Sequence, residues 1–316
     1  MVPVEVLIDA LIFSNMLSLL AIGLTMTYLT LKVPNFAHGD LAAIGVYTSF
    51  TLLKIWRLHP YSSIPLAFVV GGAISLATYL AVYRPLWRRG AGIVALMIAS
   101  IAIEVVLRSL MHIYADSLSS ALHTFARGFS YAMLDQYLEI GGRVVPLVLV
   151  ISTATLVGLV VSLYLFLTRT KFGTAMRAAI ENPALASTLG INVDLVYAVS
   201  WFLAGALASV AGVFLPFRMP ASPEIGWEML LRTFTASVLG GLSSIFGAVL
   251  GGFLAGFIEV LGIYLLSQPP INLSTAYRPA LPYALFIVVL LIAPRGITGI
   301  EWSRLLKRGG GSDRST

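Results

Sequence analysis

Between Asp9 and Lys32 the chain carries no charged side chain. At about 1.5 Å of rise per helical residue, that run reaches across a hydrocarbon core of about 30 Å. Comparable apolar runs recur down the chain, so the question is how a set of lipid-embedded helices packs. Composition agrees. Of 316 residues, 58% are hydrophobic and 11% charged, against about 25% charged in a soluble domain, and the mean hydropathy is +0.92. These values describe an integral membrane protein. The expected fold is all-α, a polytopic helical bundle of about eight transmembrane helices in one domain, with one broken or re-entrant segment. A net charge of +6 in so oily a chain orients the protein and meets anionic head groups, and no nucleic acid is expected as a partner. The absence of cysteine excludes disulfides, thiolate metal sites and Cys nucleophiles. The first segment lacks a basic n-region and a clear small-residue cleavage site, and is read as a retained helix.

The exception among the apolar runs is 41–53, bounded by Lys32-Val-Pro-Asn-Phe-Ala-His-Gly-Asp40 and Lys54. It covers only about 20 Å, which points to a broken or re-entrant segment, with irregular backbone buried by protein or water. Asn35, His38 and Asp40 there either line a translocation path or hold the break in shape, with Asp40 capping a helix that starts at Leu41. Further spans are expected at Tyr61–Tyr83, from Ala91 to about Ile113, at Val144–Thr168, at Leu195–Phe217, at Thr233–Ile258 with a break in 239–252, and at Ala280–Ala293. Glu104 and Arg108 stand at i,i+4 and can neutralise one another. Segments 114–143 and 218–232 read as polar loops. Ala204, Gly205, Ala208, Ser209 and Gly212 form a small-residue stripe, and Gly247/Gly251 and Gly252/Gly256 are GxxxG pairs that let helices approach closely. Gly240, Gly241, Gly247 and Gly251 are therefore helix-packing candidates. Glu259 is either a buried partner for a backbone or hydroxyl group, or an interfacial charge near a span end.

Residues 169–194 form a polar island between two oily spans. Asn182 can cap a helix that has Pro183 in its first turn, and Gly190 can end it after about two turns. That helix shows Ala184, Leu185, Thr188 and Leu189 outward. Residues 174–181 form another short helical piece upstream, among Arg169, Lys171 and Arg177. The island is either a plain connector or a docking surface for a cytoplasmic partner, and a capped helix with an apolar face favours the second. Basic residues gather at 84–89, at 169–177 and in the tail bearing Arg304, Lys307, Arg308 and Arg314. The positive-inside rule places all three in the cytoplasm. The N-terminus is cytoplasmic if 35–53 is re-entrant and external if it crosses. Residues 1–303 make up the transmembrane domain, and 304–316 a basic, disordered cytoplasmic tail.

No Gly precedes any Lys, so there is no P-loop, and neither HExxH nor G-x-S-x-G occurs. An enzyme has little support, no metal site is expected, and a transport path must draw its energy from an ion gradient or from another subunit. The residues then carry a resemblance. Segment 23–47, GLTMTYLTLKVPNFAHGDLAAIGVY, is similar to the start of branched-chain amino acid ABC transporter permeases of the LivH type. The island resembles that family's cytoplasmic loop, 238–259 its Gly-rich late segment, and PRGITG (294–299) its C-terminal signature. Ser243 and Phe246 depart from the Gly and Pro frequent there. The resemblance implies half of an importer channel, working with a sister permease, two cytoplasmic ATPase subunits and an external solute-binding protein. ATP and Mg would be bound by those ATPases and no cofactor by this chain, and Asn182, Pro183, Ala184, Leu185, Leu189 and Gly190 would couple it to them. Branched-chain amino acids are the expected cargo, with urea, short amides or another small metabolite as alternatives. An ion-coupled secondary transporter and a non-transporting scaffold are the competing classes.

Overall fold

The computed structural model describes residues 2–140, 142–293 and 296–297. Helix α1 runs Val4–Leu31 and α2 His38–Trp56. A continuous span, Pro60–Arg88, contains α3 (Ile64–Thr78), a π-helical turn at Tyr79–Tyr83 and α4 (Arg84–Arg88). Then follow α5 (Ile93–Leu122), a hairpin of β1 (Tyr137–Ile140) and β2 (Arg143–Pro146), α6 (Leu147–Arg169), α7 (Lys171–Glu181) and α8 (Pro183–Thr188). The chain continues through α9 (Val193–Phe214), α10 (Ile225–Gly240), α11 (Ile245–Ser267) and α12 (Ala280–Ile292). Among the described residues six helical spans are long and apolar enough to cross a membrane. The shorter or more polar α2, α10 and α12 fill out the bundle, so the expected count of eight is approximate.

Two spans form the inside. α1 and the α9 span are 72% and 78% buried, against 22–39% for the other four. Lipid is as apolar as leucine, so helices are held by close contact and by hydroxyl bonds rather than by a hydrophobic drive. The α9 stripe does this on two sides. Gly205 backs onto Gly71 and Ser75 of α3, while Gly212 meets the Ala42 carbonyl, and Gly45 of α2 sits on the Ser209 carbonyl so closely that a Cβ would overlap it. On α1, Ser14 and Ser18 lie against Gly256 and Gly252 and donate to the carbonyls of Phe253 and Val249 at 2.9 and 3.0 Å. Asn15 donates to Ser152 and Thr153 of α6.

The structure moves several boundaries read from the sequence. α2 is unbroken over 19 residues, about 28 Å, and the irregular backbone is the turn at 32–37 before it. Asp40 and Lys54 lie inside this helix instead of bounding it. α5 continues to Leu122, taking the first part of the expected 114–143 loop. α10 starts at Ile225, so Glu228 and Arg232 are helical, and the break within 233–258 is confined to 241–244. Glu259 sits inside α11, and its partners are guanidinium groups: both its oxygens lie 3.1 Å from Arg232 and one lies 3.0 Å from Arg278. Most of the PRGITG signature and the whole 304–316 tail lie outside the described residues.

The two ends of the bundle are distinct. Arg84 and Arg88 both bond to Asp194, which brings the basic 84–89 turn to the island. Gly296 packs on Gly241 at that same end. At the opposite end Asp9 pairs with Arg218 at 3.0 Å. There Asp135 accepts from the Tyr61 hydroxyl at 2.8 Å and the Val148 N–H at 3.1 Å, tying the polar loop to the starts of α3 and α6. The start of α1 therefore lies opposite the island, as a full crossing requires.

Gly212→Val forces a side chain into the Ala42 carbonyl and is expected to cost about 2 kcal/mol or more. Gly158→Ala on α6, where no atom lies within 4 Å of the added carbon, is expected to leave stability unchanged or raise it. Thermal melting of the detergent-solubilised protein checks both, and a parental melting temperature for Gly212→Val would contradict the packing account.

Candidate functional site

The island folds from its own residues. Thr170 accepts from the Gly173 N–H at 2.9 Å and starts α7. Gly173 lies against the Phe166 and Leu167 carbonyls, which Arg177 also reaches by donating to Leu167. Met176 and Ala179 are fully buried, so α7 lies flat on the bundle. Asn182 Oδ1 then accepts from the Leu185 N–H at 3.0 Å, with Pro183 in the first turn. Gly190, at φ +81°, ends α8 in the left-handed region that suits glycine. Ala186 turns inward, while Ala184 is exposed and Leu185 and Leu189 are 57% and 72% exposed. A hollow of about 550 Å³ separates α8 from Trp87, with Ile191, Asn192 and Asp194 in its wall. Asp194 is the joint: it belongs to the first turn of α9 and is held by both arginines of α4. Asp194 thus ties the segment after α8 to two spans.

The 35–40 segment is buried in a helix seam. Asn35 Oδ1 accepts from the Ala37 N–H at 3.1 Å and from the Tyr83 hydroxyl at 3.0 Å, so Asn35 caps the turn. The capping role expected of Asp40 is corrected: α2 begins at His38, behind Ala37, and Asp40 lies within its first turn. His38 Nε2 is 3.0 Å from the Leu20 carbonyl and therefore carries the proton of that contact. Gly39 rests on the Gly226 carbonyl, and Gly226 on Asp40, which closes this crossing tightly. Gly240 likewise meets Gly247, and Gly251 meets Ala236 and Gly240. Gly241, at φ +93°, makes the turn between α10 and α11.

A charged layer lies nearby, assembled from residues far apart in the sequence. Glu104 is 2.7 Å from Arg108, which also reaches Glu224 at 3.4 Å, and His112 meets Glu224 at 2.7 Å. Arg232, Glu259 and Arg278 form a second group. Arg232 could have been suspected from Glu228 four residues earlier, the spacing of one helix face. Its distance in sequence from Glu259 gave no local sign. Among the described residues no three His, Cys, Asp or Glu gather to hold a metal ion.

Residues 6–290 match a family described as the permease component of the branched-chain amino acid transport system. A probable branched-chain amino acid transport permease protein LivH from Methanocaldococcus jannaschii is 43% identical over 300 residues, which is 95% of this chain and 94% of that one. The high-affinity branched-chain amino acid transport permease BraD of Pseudomonas aeruginosa is 31% identical over 309 residues, covering 93% and 94%. LivH of Escherichia coli K12 is 32% identical over 292 residues, covering 89% and 91%. No solved structure matches the chain.

Asn182→Ala is expected to cost α8 about 1 kcal/mol of cap energy and so speed amide exchange across 185–190 about fivefold, while Asn182→Ser keeps the parental rate. Equal protection in the Ala variant would show that the cap does not hold this helix.

Proposed function

The chain belongs to the family of branched-chain amino acid transport permeases, and from that premise we propose that it forms half of the cargo path of an ATP-driven importer for branched-chain or related amino acids. It is a multi-pass membrane protein and not an enzyme, and its family works with ATPase and substrate-binding partners. The finer assignment is our own. A sister permease completes the path, two ATPase subunits bind ATP and Mg on the island side, and the solute-binding protein docks at the end carrying the hairpin. The island end, with its basic residues at 84–89 and 169–177, faces the cytoplasm, as does the C-terminus.

The observation that carries this reading is the pair Leu185 and Leu189, held outward on a capped helix whose root is clamped by Asp194 to Arg84 and Arg88. Two large apolar side chains kept in water by a rigid mount suit burial in a partner's groove. ATPase closure then moves α8 as a rigid body and pulls α9 and α4 with it. For Asn35 and His38 we propose a shaping role at the α1–α2 turn. Gly240, Gly247 and Gly251 serve close packing, and Gly241 the turn. Urea and short amides are less favoured cargoes, since the three relatives above are all named for branched-chain amino acids.

Leu185→Asp and Leu189→Asp place a charge in the proposed contact. Each is expected to insert normally and to lower ATP-driven leucine uptake by the reconstituted importer more than about tenfold, the loss of a central interface residue. Uptake at the parental rate in both variants would remove the docking role.

A further inference from the structure

An ionisable side chain inside a membrane faces protein or water, because a charge in hydrocarbon costs several kcal/mol. One face of this bundle breaks that pattern. Arg108, midway along α5, lies 5.1 Å over the Trp227 ring, and Trp227 is itself 53% exposed. Glu224, its partner from the loop before α10, keeps 46% of its side chain exposed. Glu228, one turn further, is exposed and makes no ion pair among the described residues. Beside it Arg232, its side chain 9% exposed, and Arg278 share the single carboxylate of Glu259, so these three carry a net positive charge next to the carboxylate of Glu228. A cavity of about 340 Å³ lies here, walled by Trp227, Glu228, Arg232 and Tyr283 among others. Elsewhere α5 turns Val106, Leu110 and Ile113 outward, as a lipid-facing surface does.

We propose that this charged face of α5 and α10 lines the aqueous mouth of the cargo path, and that Glu228 meets the ammonium, and the positive Arg232–Glu259–Arg278 group the carboxylate, of an amino acid passing through. The identity of the cargo rests on the function proposed above; the position of the path does not. The mouth opens away from the island, because α10 begins from the loop at the hairpin end. Its inner end is closed. On the next turns of the same α10 face come Leu231 and Phe234, and the Phe234 ring lies 5.4 Å from Phe36. Leu24, Leu230 and Phe286 join them in an apolar cluster apart from the main core. A zwitterion thus finds opposite charges at the mouth, and an aliphatic side chain finds an oily plug beneath.

The chain has no cysteine, so single cysteines are unique targets on this subunit. In the assembled importer in proteoliposomes, Glu228→Cys and Leu231→Cys are treated with a negatively charged, membrane-impermeant methanethiosulfonate, with Val106→Cys as the lipid-facing control. Both are expected to react roughly tenfold or more faster than the control, and Leu231→Cys to lose leucine uptake on modification. Reaction at 228 and 231 no faster than at 106 means that lipid or a neighbouring subunit seals the face, and the proposal falls. Rapid modification with uptake intact places water there but not cargo, and the proposal falls equally. Modification is read on the permease itself. Fast reaction in a wild-type complex background that takes up no leucine therefore overturns the amino-acid assignment and leaves the wet face standing.

Discussion

Backbone lying against backbone is the contact on which the rest of this molecule depends. Helices in lipid gain nothing from hiding leucine, so their attachment needs surfaces that fit at short range. α9 supplies one along most of its length, meeting α3 through Gly205 and α2 through Ser209 and Gly212. α11 supplies a second, with Gly252 and Gly256 on α1 and Gly251 on α10. Hydroxyl groups that bond neighbouring carbonyls, as Ser14, Ser18 and Ser75 do, lock these crossings without adding bulk. Stiffness follows. Elements packed at this distance slide or tilt as units and do not deform smoothly.

That stiffness gives the exposed island its meaning. α7 is laid on the bundle by Met176 and Ala179, α8 is capped at both ends, and Asp194 is gripped by two arginines from a different span. In the proposed coupling, force applied at Leu185 or Leu189 would reach α9, the most buried of the six long spans, through these contacts. From there the small-residue crossings would carry it to α2 and α3. α10 crosses α2 at Gly39 and Gly226, directly before Trp227 and Glu228, so motion of α2 would arrive next to the charged face.

Much of this is readable in residue order, and most of the failures share one cause. The α8 cap, the glycine pairs and the Glu104–Arg108 bond all involve residues within a few positions of one another, and local geometry is enough to find them. α2 and α10 differ from the expectation because charge does not mark the ends of these spans. Asp40, Lys54, Glu228 and Arg232 lie within helices, and the partners or cover that make this possible come from far along the chain: Gly226 over Asp40, and Glu259 and Arg278 beside Arg232. The hairpin at 137–146 escaped for a different reason. Its strands have four residues each, too few for an alternating pattern to stand out.

The central claim is that this chain shapes a path but does not power it. Liposomes containing the purified permease alone, under an imposed proton or sodium gradient, should accumulate no labelled leucine above empty vesicles. Addition of the ATPase, sister permease and solute-binding partners together with ATP should start accumulation. Gradient-driven uptake by the lone chain would contradict the account at its root.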